Sequence, residues 1–272
     1  MSALVLTLRT APRQRLDLSP LTPDRLRGIE SRDIGSVELA CGNRRLRVGD
    51  LFDVRPGDAA EIVIRNGGAA LDFVGRGMSE GSITVDGDAG AYLGQGMRGG
   101  RLHVTGRAGP WAGAVLAGGL VRIDGDAGDF VGGALPGDMR GMSGGIMTIG
   151  GNAGERAGDR MRRGIIHVEG DAGSFLGSRM IAGTIIVSGR VGAYPGYAMK
   201  RGTLLLRALP EEIAPTFADC GVHDLGFLRL LGRSMAGLGL PAEQIGPIGT
   251  RVRRLLGDGA VGGKGELLIR DG

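Results

Sequence analysis

Residues 164–182 read GIIHVEGDAGSFLGSRMIA and residues 183–201 read GTIIVSGRVGAYPGYAMKR. Each stretch opens on a Gly, places apolar residues two and four positions later, and then spaces three further glycines as G-x-x-G-x-x-x-G. Alternation rich in β-branched residues marks a half-buried strand, and glycines at fixed offsets mark turns. The unit extends outward from this pair. Opening glycines stand at 81, 100, 119, 145, 164, 183 and 202, at intervals of 19 except for one of 26. The exception is one period plus seven residues, which predicts a loop insertion between Ala134 and Met142. An imperfect unit, with Gly68, Leu71 and Gly75 in the matching places, precedes the six complete ones.

One short strand, a Gly turn, a second apolar patch and another Gly turn in every 19 residues predict an all-β fold, a parallel β-solenoid. Equivalent residues of successive coils then stand about 4.8 Å apart. Three columns fit that spacing. Eleven residues after the opening Gly the column reads Phe73, Tyr92, Trp111, Phe130, Arg156, Phe175, Tyr194, which takes six of the ten aromatics of the chain. Seven residues after it, Asp88, Arg107, Asp126, Asn152, Asp171 and Arg190 never place like charges side by side, as stacked coils require. A third column, Met78, Met97, Leu116, Met142, Met161, Met180, Met199, reads as adaptable core filling. The repeat also explains the composition: 55 of 272 residues are Gly. With 42% hydrophobic and 23% charged residues the chain is not disordered, and without a Gly at every third position it is not collagen.

Three regions follow: a strand and cap region over 1–60, about seven coils over 61–207, and an extension over 208–272. The first carries an alternating strand at Leu4, Leu6 and Leu8. In the last, Pro210 to Leu240 includes helical material such as Asp224 to Met235, and Arg251 to Ile269 ends in a strand-like Leu267-Leu268-Ile269. Open solenoid ends need such covers. Cys41 and Cys220 are isolated thiols, which supports neither a disulfide framework nor an iron–sulfur site. No signal-peptide h-region stands in Met1 to Gln14 and no run approaches 18 apolar residues, so the expectation is a soluble, cytoplasmic protein with no membrane partner. A net charge of +4 points to an acidic ligand or partner more than to nucleic acid.

These G-x-x-G-x-x-x-G coils resemble the Gly-repeat domain shared by the C-terminal part of the glutamate synthase large subunit and by the C subunit of formylmethanofuran dehydrogenase. Residues 70–78, ALDFVGRGM, are similar to the first coil of the latter, and Arg253-Arg254-Leu255-Leu256-Gly257-Asp258 with Gly263-Lys264-Gly265-Glu266 is similar to its tail. The likeness covers roughly residues 45–270. It implies a right-handed parallel β-helix and a non-catalytic partner of sibling subunits in a hetero-oligomeric complex. Metals and catalytic residues would then belong to the siblings, with no covalently bound cofactor on this chain. Two complexes use a chain of this type. One is a bacterial formyltransferase/hydrolase of tetrahydromethanopterin- and methanofuran-linked one-carbon metabolism, and the other is a molybdenum or tungsten formylmethanofuran dehydrogenase. Only Lys200 and Lys264 are Lys among 33 basic residues, a GC-rich composition that favours a methylotrophic bacterium and the first complex.

Within the chain, His103 and His167 share a column but stand three coils apart, about 14 Å, too far to share one ion, and read as outward-facing strand residues. His223 beside Asp224 lacks a ligand spacing. The acid pairs Asp86 and Asp88, Asp124 and Asp126, and Glu169 and Asp171 follow the repeat at turn positions, where Asp is favoured, so they are not read as catalytic dyads. The site candidate is a basic corner beside the Met column: Arg98, Arg160, Arg162, Arg163, Arg179, Lys200 and Arg201, with Asp138 and Arg140 emerging nearby. It reads either as a solvated or subunit-bridging edge or as a guide for an acidic ligand, and the resemblance implies the glutamyl tail of a methanofuran-type cofactor. The competing readings are a β-solenoid enzyme on acidic polysaccharide, which would need a carboxylate cleft and secretion, and a hexapeptide-repeat acyltransferase, whose coil is 18 residues and not 19.

Overall fold

The apolar pair of each repeat forms a strand, and the strands stack in parallel. The computed structural model describes residues 2–236 and 249–271, and the expected helical material beyond Ala236, up to Leu240, lies outside the described residues. In chain order the strands are β1 (Ala3–Leu8), β2 (Leu16–Asp17), β3 (Glu38–Cys41), β4 (Arg44–Arg47), β5 (Phe52–Arg55) and β6 (Asp58–Gly67). They continue as β7 (Leu71–Asp72), β8 (Ser82–Gly87), β9 (Arg101–Val104), β10 (Leu120–Ile123), β11 (Ser143–Ile149) and β12 (Arg163–Val168). The last are β13 (Thr184–Val187), β14 (Thr203–Leu206), β15 (Ala218–Asp224), β16 (Arg251–Gly257) and β17 (Gly265–Arg270). Helix among the described residues is confined to single turns at Pro23–Leu26 and Val48–Leu51, short 3₁₀ segments, and the ten residues Phe227–Ala236. The fold is all-β.

A 13-stranded mixed sheet runs in the order β15-β16-β17-β14-β13-β12-β11-β10-β9-β8-β6-β1-β5, and a 4-stranded sheet, β4-β3-β2-β7, flanks its N-terminal end. Register follows the repeat. Ile83 pairs with Leu102, Leu102 with Val121, Val121 with Met147, Met147 with Ile166, Ile166 with Ile185 and Ile185 with Leu204. The seven-residue insertion leaves that register intact, because it departs from the repeat at Ala134 and returns before the β11 pairing. Two further columns tie each repeat to the next. Ala89, Ala108, Ala127, Ala153, Ala172 and Val191 form successive parallel bridges. At the Met column, the N–H groups of Arg98, Ala117, Arg162, Ile181 and Lys200 donate to the carbonyls of Met78, Met97, Met142, Met161 and Met180.

The residues two and four positions after each opening Gly and the whole Met column lie in one continuous apolar core. All seven members of the Met column, Leu116 included, are fully buried. Each Met or Leu there is expected to contribute about 2–5 kcal/mol against truncation to Ala.

The aromatic column adopts a conformation that the repeat pattern does not reveal. Phe73, Tyr92, Trp111, Phe130, Arg156, Phe175 and Tyr194 all have φ between 57° and 61°, the left-handed region. That region costs an L-residue roughly 1–2 kcal/mol. Ring stacking offsets it: Phe73, Tyr92, Trp111 and Phe130 stack with centroids 4.9, 5.5 and 5.0 Å apart and planes within 13°, each pair contributing roughly 0.5–1.5 kcal/mol beyond burial. Arg156 interrupts the stack and places its guanidinium 4.5 Å from the centroid of Phe175.

The charged column does more than avoid repulsion. Asp88, Asp126, Asn152 and Asp171 each accept, through Oδ1, the backbone N–H of the next member of the column, at 2.7–2.9 Å. These carboxylates and the Asn amide satisfy turn amides between repeats.

The C-terminal extension returns to the sheet. β17 pairs in parallel with β14, and β16 and β15 continue antiparallel from it. Leu228 of the helix and Val252 of β16 join Ile186, Leu205 and Leu268 in a second apolar cluster on the outer face of the sheet. Both strand histidines stand on the outer face of the sheet as expected, but only His103 is partly exposed, whereas His167 is fully buried there.

Candidate functional site

The basic corner is built by the turn that carries the Met column. Its Met points inward, so the residues immediately before and after it, at 160 and 162 or 179 and 181, are left on the outside. The structure divides the seven predicted residues into three groups. Arg163, Lys200 and Arg201 are exposed, and Arg163 and Arg201 have no ion pair among the described residues. Lys200 Nζ donates to the Val261 carbonyl at 2.6 Å. Arg160, Arg162 and Arg179 are partly buried instead. Arg98 is exposed but belongs to a repeat three steps from that of Arg162, about 14 Å away by strand spacing, so it is not part of one contiguous corner.

Two members of the site are invisible in the repeat. Asp159, 2% exposed, takes both Nε and Nη2 of Arg179, at 2.9 and 2.8 Å, and a hydrogen bond from the Ser178 hydroxyl at 2.7 Å. A bidentate fork of this kind spends the charge of Arg179 internally. Lys264 is the other addition: its N–H donates to the Lys200 carbonyl at 2.7 Å, so the two lysines of the chain become neighbours when β17 docks on β14. Neither Lys200-Arg201 nor the tail around Lys264 signals this contact, because the two segments are remote in the chain.

His103 Nε2 lies 2.8 Å from Asp124 Oδ2, and Arg122 Nε donates to Asp124 Oδ1 at 2.7 Å. Partial burial raises the Asp124 carboxyl, but these hydrogen bonds outweigh it and hold the carboxyl below its ordinary value. Burial pushes His167 down to about 4, so its imidazole is neutral at pH 7. Its Nε2 lies 3.3 Å from the Ser188 hydroxyl. His223 Nε2 faces the Cys220 carbonyl at 3.0 Å. Among the described residues no three or more His, Cys, Asp or Glu side chains gather as a metal site would require.

A chain in the crystal structure of the formyltransferase/hydrolase complex FhcABCD from Methylorubrum extorquens, in complex with methylofuran, superposes on this fold with a TM-score of 0.93. It is 45% identical, over 98% of this chain and 100% of that one. The C subunit of the formyltransferase/hydrolase complex Fhc of Methylorubrum extorquens is 46% identical over 85 residues, 31% of this chain and 32% of that protein. The chain belongs to the family of Fhc and formylmethanofuran dehydrogenase C subunits. A second member, the C subunit of the tungsten-containing formylmethanofuran dehydrogenase 2 of Methanococcus maripaludis, is 34% identical over 92 residues, 33% of this chain and 34% of that protein. Sequence matches to the curated members of the family thus span about a third of their length, while the structural match spans the whole fold. No family model matches the chain. The homologue from Methylorubrum is one component of a hetero-oligomer, and no helix among the described residues of this family member is long and apolar enough to cross a membrane.

Proposed function

We propose that this chain is the non-catalytic scaffold and docking component of a cytoplasmic formyltransferase/hydrolase complex, acting in tetrahydromethanopterin- and methanofuran-linked one-carbon metabolism. The observation that carries the reading is the 45% identity over 98% of the chain to a component of the methylofuran-bound complex. The tungsten-containing dehydrogenase is the second reading, because identity to its family member is lower. In the first reading residues 61–207 are a right-handed parallel β-helix between a cap region (1–60) and an extension (208–272). Three inter-repeat columns of hydrogen bonds support it: the strands, the Ala bridges and the Met turns. The metals and the reacting groups reside in sibling subunits; of the acid pairs of this chain, Asp88, Asp126 and Asp171 are spent on turn amides and Asp124 on His103 and Arg122.

The corner formed by Arg163, Lys200, Arg201 and Lys264 guides the acidic tail of a methanofuran-type cofactor. Its cations are exposed, so each attraction is weak and salt-sensitive, with a range of about 8 Å at physiological ionic strength. Several together concentrate a polyanion at one place on the complex. Purification of the chain from its native host tests the assembly: sibling formyltransferase and hydrolase chains are expected to co-purify, and a solitary, active protein overturns the reading. The tail assignment is tested in the intact complex by neutralising Arg163, Lys200, Arg201 and Lys264 together. Weaker polyglutamate binding with a shallower salt dependence is expected, and unchanged affinity refutes it.

A further inference from the structure

The seven-residue insertion is the one break in the spacing of the complete repeats, and its Gly141 N–H donates to the Arg160 carbonyl at 3.0 Å. Residues 134–138 of that loop roof a cavity of about 250 Å³. Its apolar walls are Leu135, Pro136 and the last two rings of the four-membered stack, Trp111 and Phe130. Arg160 and Arg179 close its polar side. Such a volume falls below the roughly 300–1,000 Å³ of sites for drug-sized ligands, so it fits one ring and its substituent.

The polar side is electrostatically unfinished. Arg179 is committed to the buried Asp159 through two hydrogen bonds, whereas Arg160 Nε lies 3.9 Å from the same carboxylate, beyond hydrogen-bond reach. The only hydrogen bond of the Arg160 fork among the described residues runs to the sulfur of Met139, a weak acceptor on the same loop. Two guanidiniums thus share one buried carboxylate, and the second acid at the cavity, Asp138, is exposed to solvent, which screens it. Trp111 adds a second unspent donor, since its Nε1–H is buried without a hydrogen-bond partner. Buried donors of this kind are ordinarily satisfied.

The geometry points to a binding site for a ligand segment in which an aromatic ring is joined to a carboxylate. The ring packs against Trp111 and Phe130 under Leu135 and Pro136, and the carboxylate takes the fork of Arg160. The site deepens the tail-binding reading and rests on it for the source of the ligand's carboxylate. The loop insertion supplies the roof that the regular repeats lack.

Trp111 is the only Trp of the chain, so its fluorescence reports on the cavity directly. The full-length chain is titrated with N-benzoylglutamate, which carries both elements, and with γ-glutamylglutamate, which lacks the ring. A saturable change in Trp111 emission is expected for the first and a much weaker one for the second. Arg160→Gln is expected to weaken N-benzoylglutamate about tenfold or more, the loss of a charge-assisted hydrogen bond, and Arg160→Lys to recover part of it. Leu135→Asp, on the roof and outside the core, is expected to weaken it as well. Absence of a saturable change, or full affinity in both Arg160→Gln and Leu135→Asp, overturns the site. Loss of N-benzoylglutamate binding with polyglutamate binding retained at Arg163, Lys200, Arg201 and Lys264 refutes the cavity alone. The reverse result refutes the corner alone.

Discussion

The two faces of the same strands differ in how they are governed. On the inner face Ile83, Leu102, Val121, Met147, Ile166, Ile185 and Leu204 are equivalent in every repeat and are all buried. On the outer face, three residues after each opening Gly, the column reads Thr84, His103, Arg122, Thr148, His167, Ile186, Leu205. Its first three members are at least partly exposed and its last four are buried. The repeat governs the inner face, since each unit needs the same filling to stack on its neighbours. Docking of the C-terminal extension governs the outer one, where Leu228 and Val252 cover Ile186 and Leu205. Polarity along the outer column changes as the cover arrives.

The inner, repeat-governed half is most vulnerable where repeats approach closely. Gly128 has an ordinary φ, but a Cβ there would meet Pro110 N at 2.8 Å and Gly109 C at 3.1 Å, backbone atoms of the preceding repeat. Gly128→Val is therefore expected to destabilise by about 4 kcal/mol or more, read as a fall in the urea midpoint. A neutral result would break the claim that stacking dictates this side.

The outer half is tested by pH. The folded pKa of His167 is about 4, below its ordinary 6.5, because burial disfavours the imidazolium. The unfolded chain therefore binds the extra proton first. The full contribution of the site is present above pH 6.5 and is lost as pH falls from 6.5 toward 4, by about 3 kcal/mol in all. Below pH 6.5 the parent is expected to lose stability more steeply than His167→Leu, and parallel stability curves across that window would show that His167 is not buried.

A smaller effect sharpens the same contrast. Leu205→Ala, under the cover, is expected to cost about 2–3 kcal/mol, and His103→Ala, in the equivalent uncovered place, about 1 kcal/mol or less, since its bond to Asp124 is partly exposed. Thermal midpoints of the two variants read the difference. Equal losses would mean that the outer face is covered along its whole length.

Much of this is legible in the residues. The offsets of Gly, apolar pairs, Met and aromatics locate the strands, the register and the insertion, because each offset recurs often enough to separate signal from accident. The site is legible only in part. Arg98 groups with Arg160 and Arg179 because they occupy similar turns, yet three repeats separate Arg98 from Arg162, and the sequence pattern carries no measure of which charge is already spent. Asp159 has the look of an ordinary turn acid. Lys264 is unrelated to Lys200 until β17 docks beside β14.

The chain's periodicity alone dictates that its strands pair in parallel at one repeat per step, since a 19-residue recurrence of strand and turn residues can bury its apolar pair only against its own neighbours. Tertiary structure alone decides three other things: which outer-face residues are covered, which arginines remain free, and how the two lysines meet. Those outcomes depend on where the non-repeating extension folds back and on which guanidinium wins a buried carboxylate, and neither is encoded at a fixed offset.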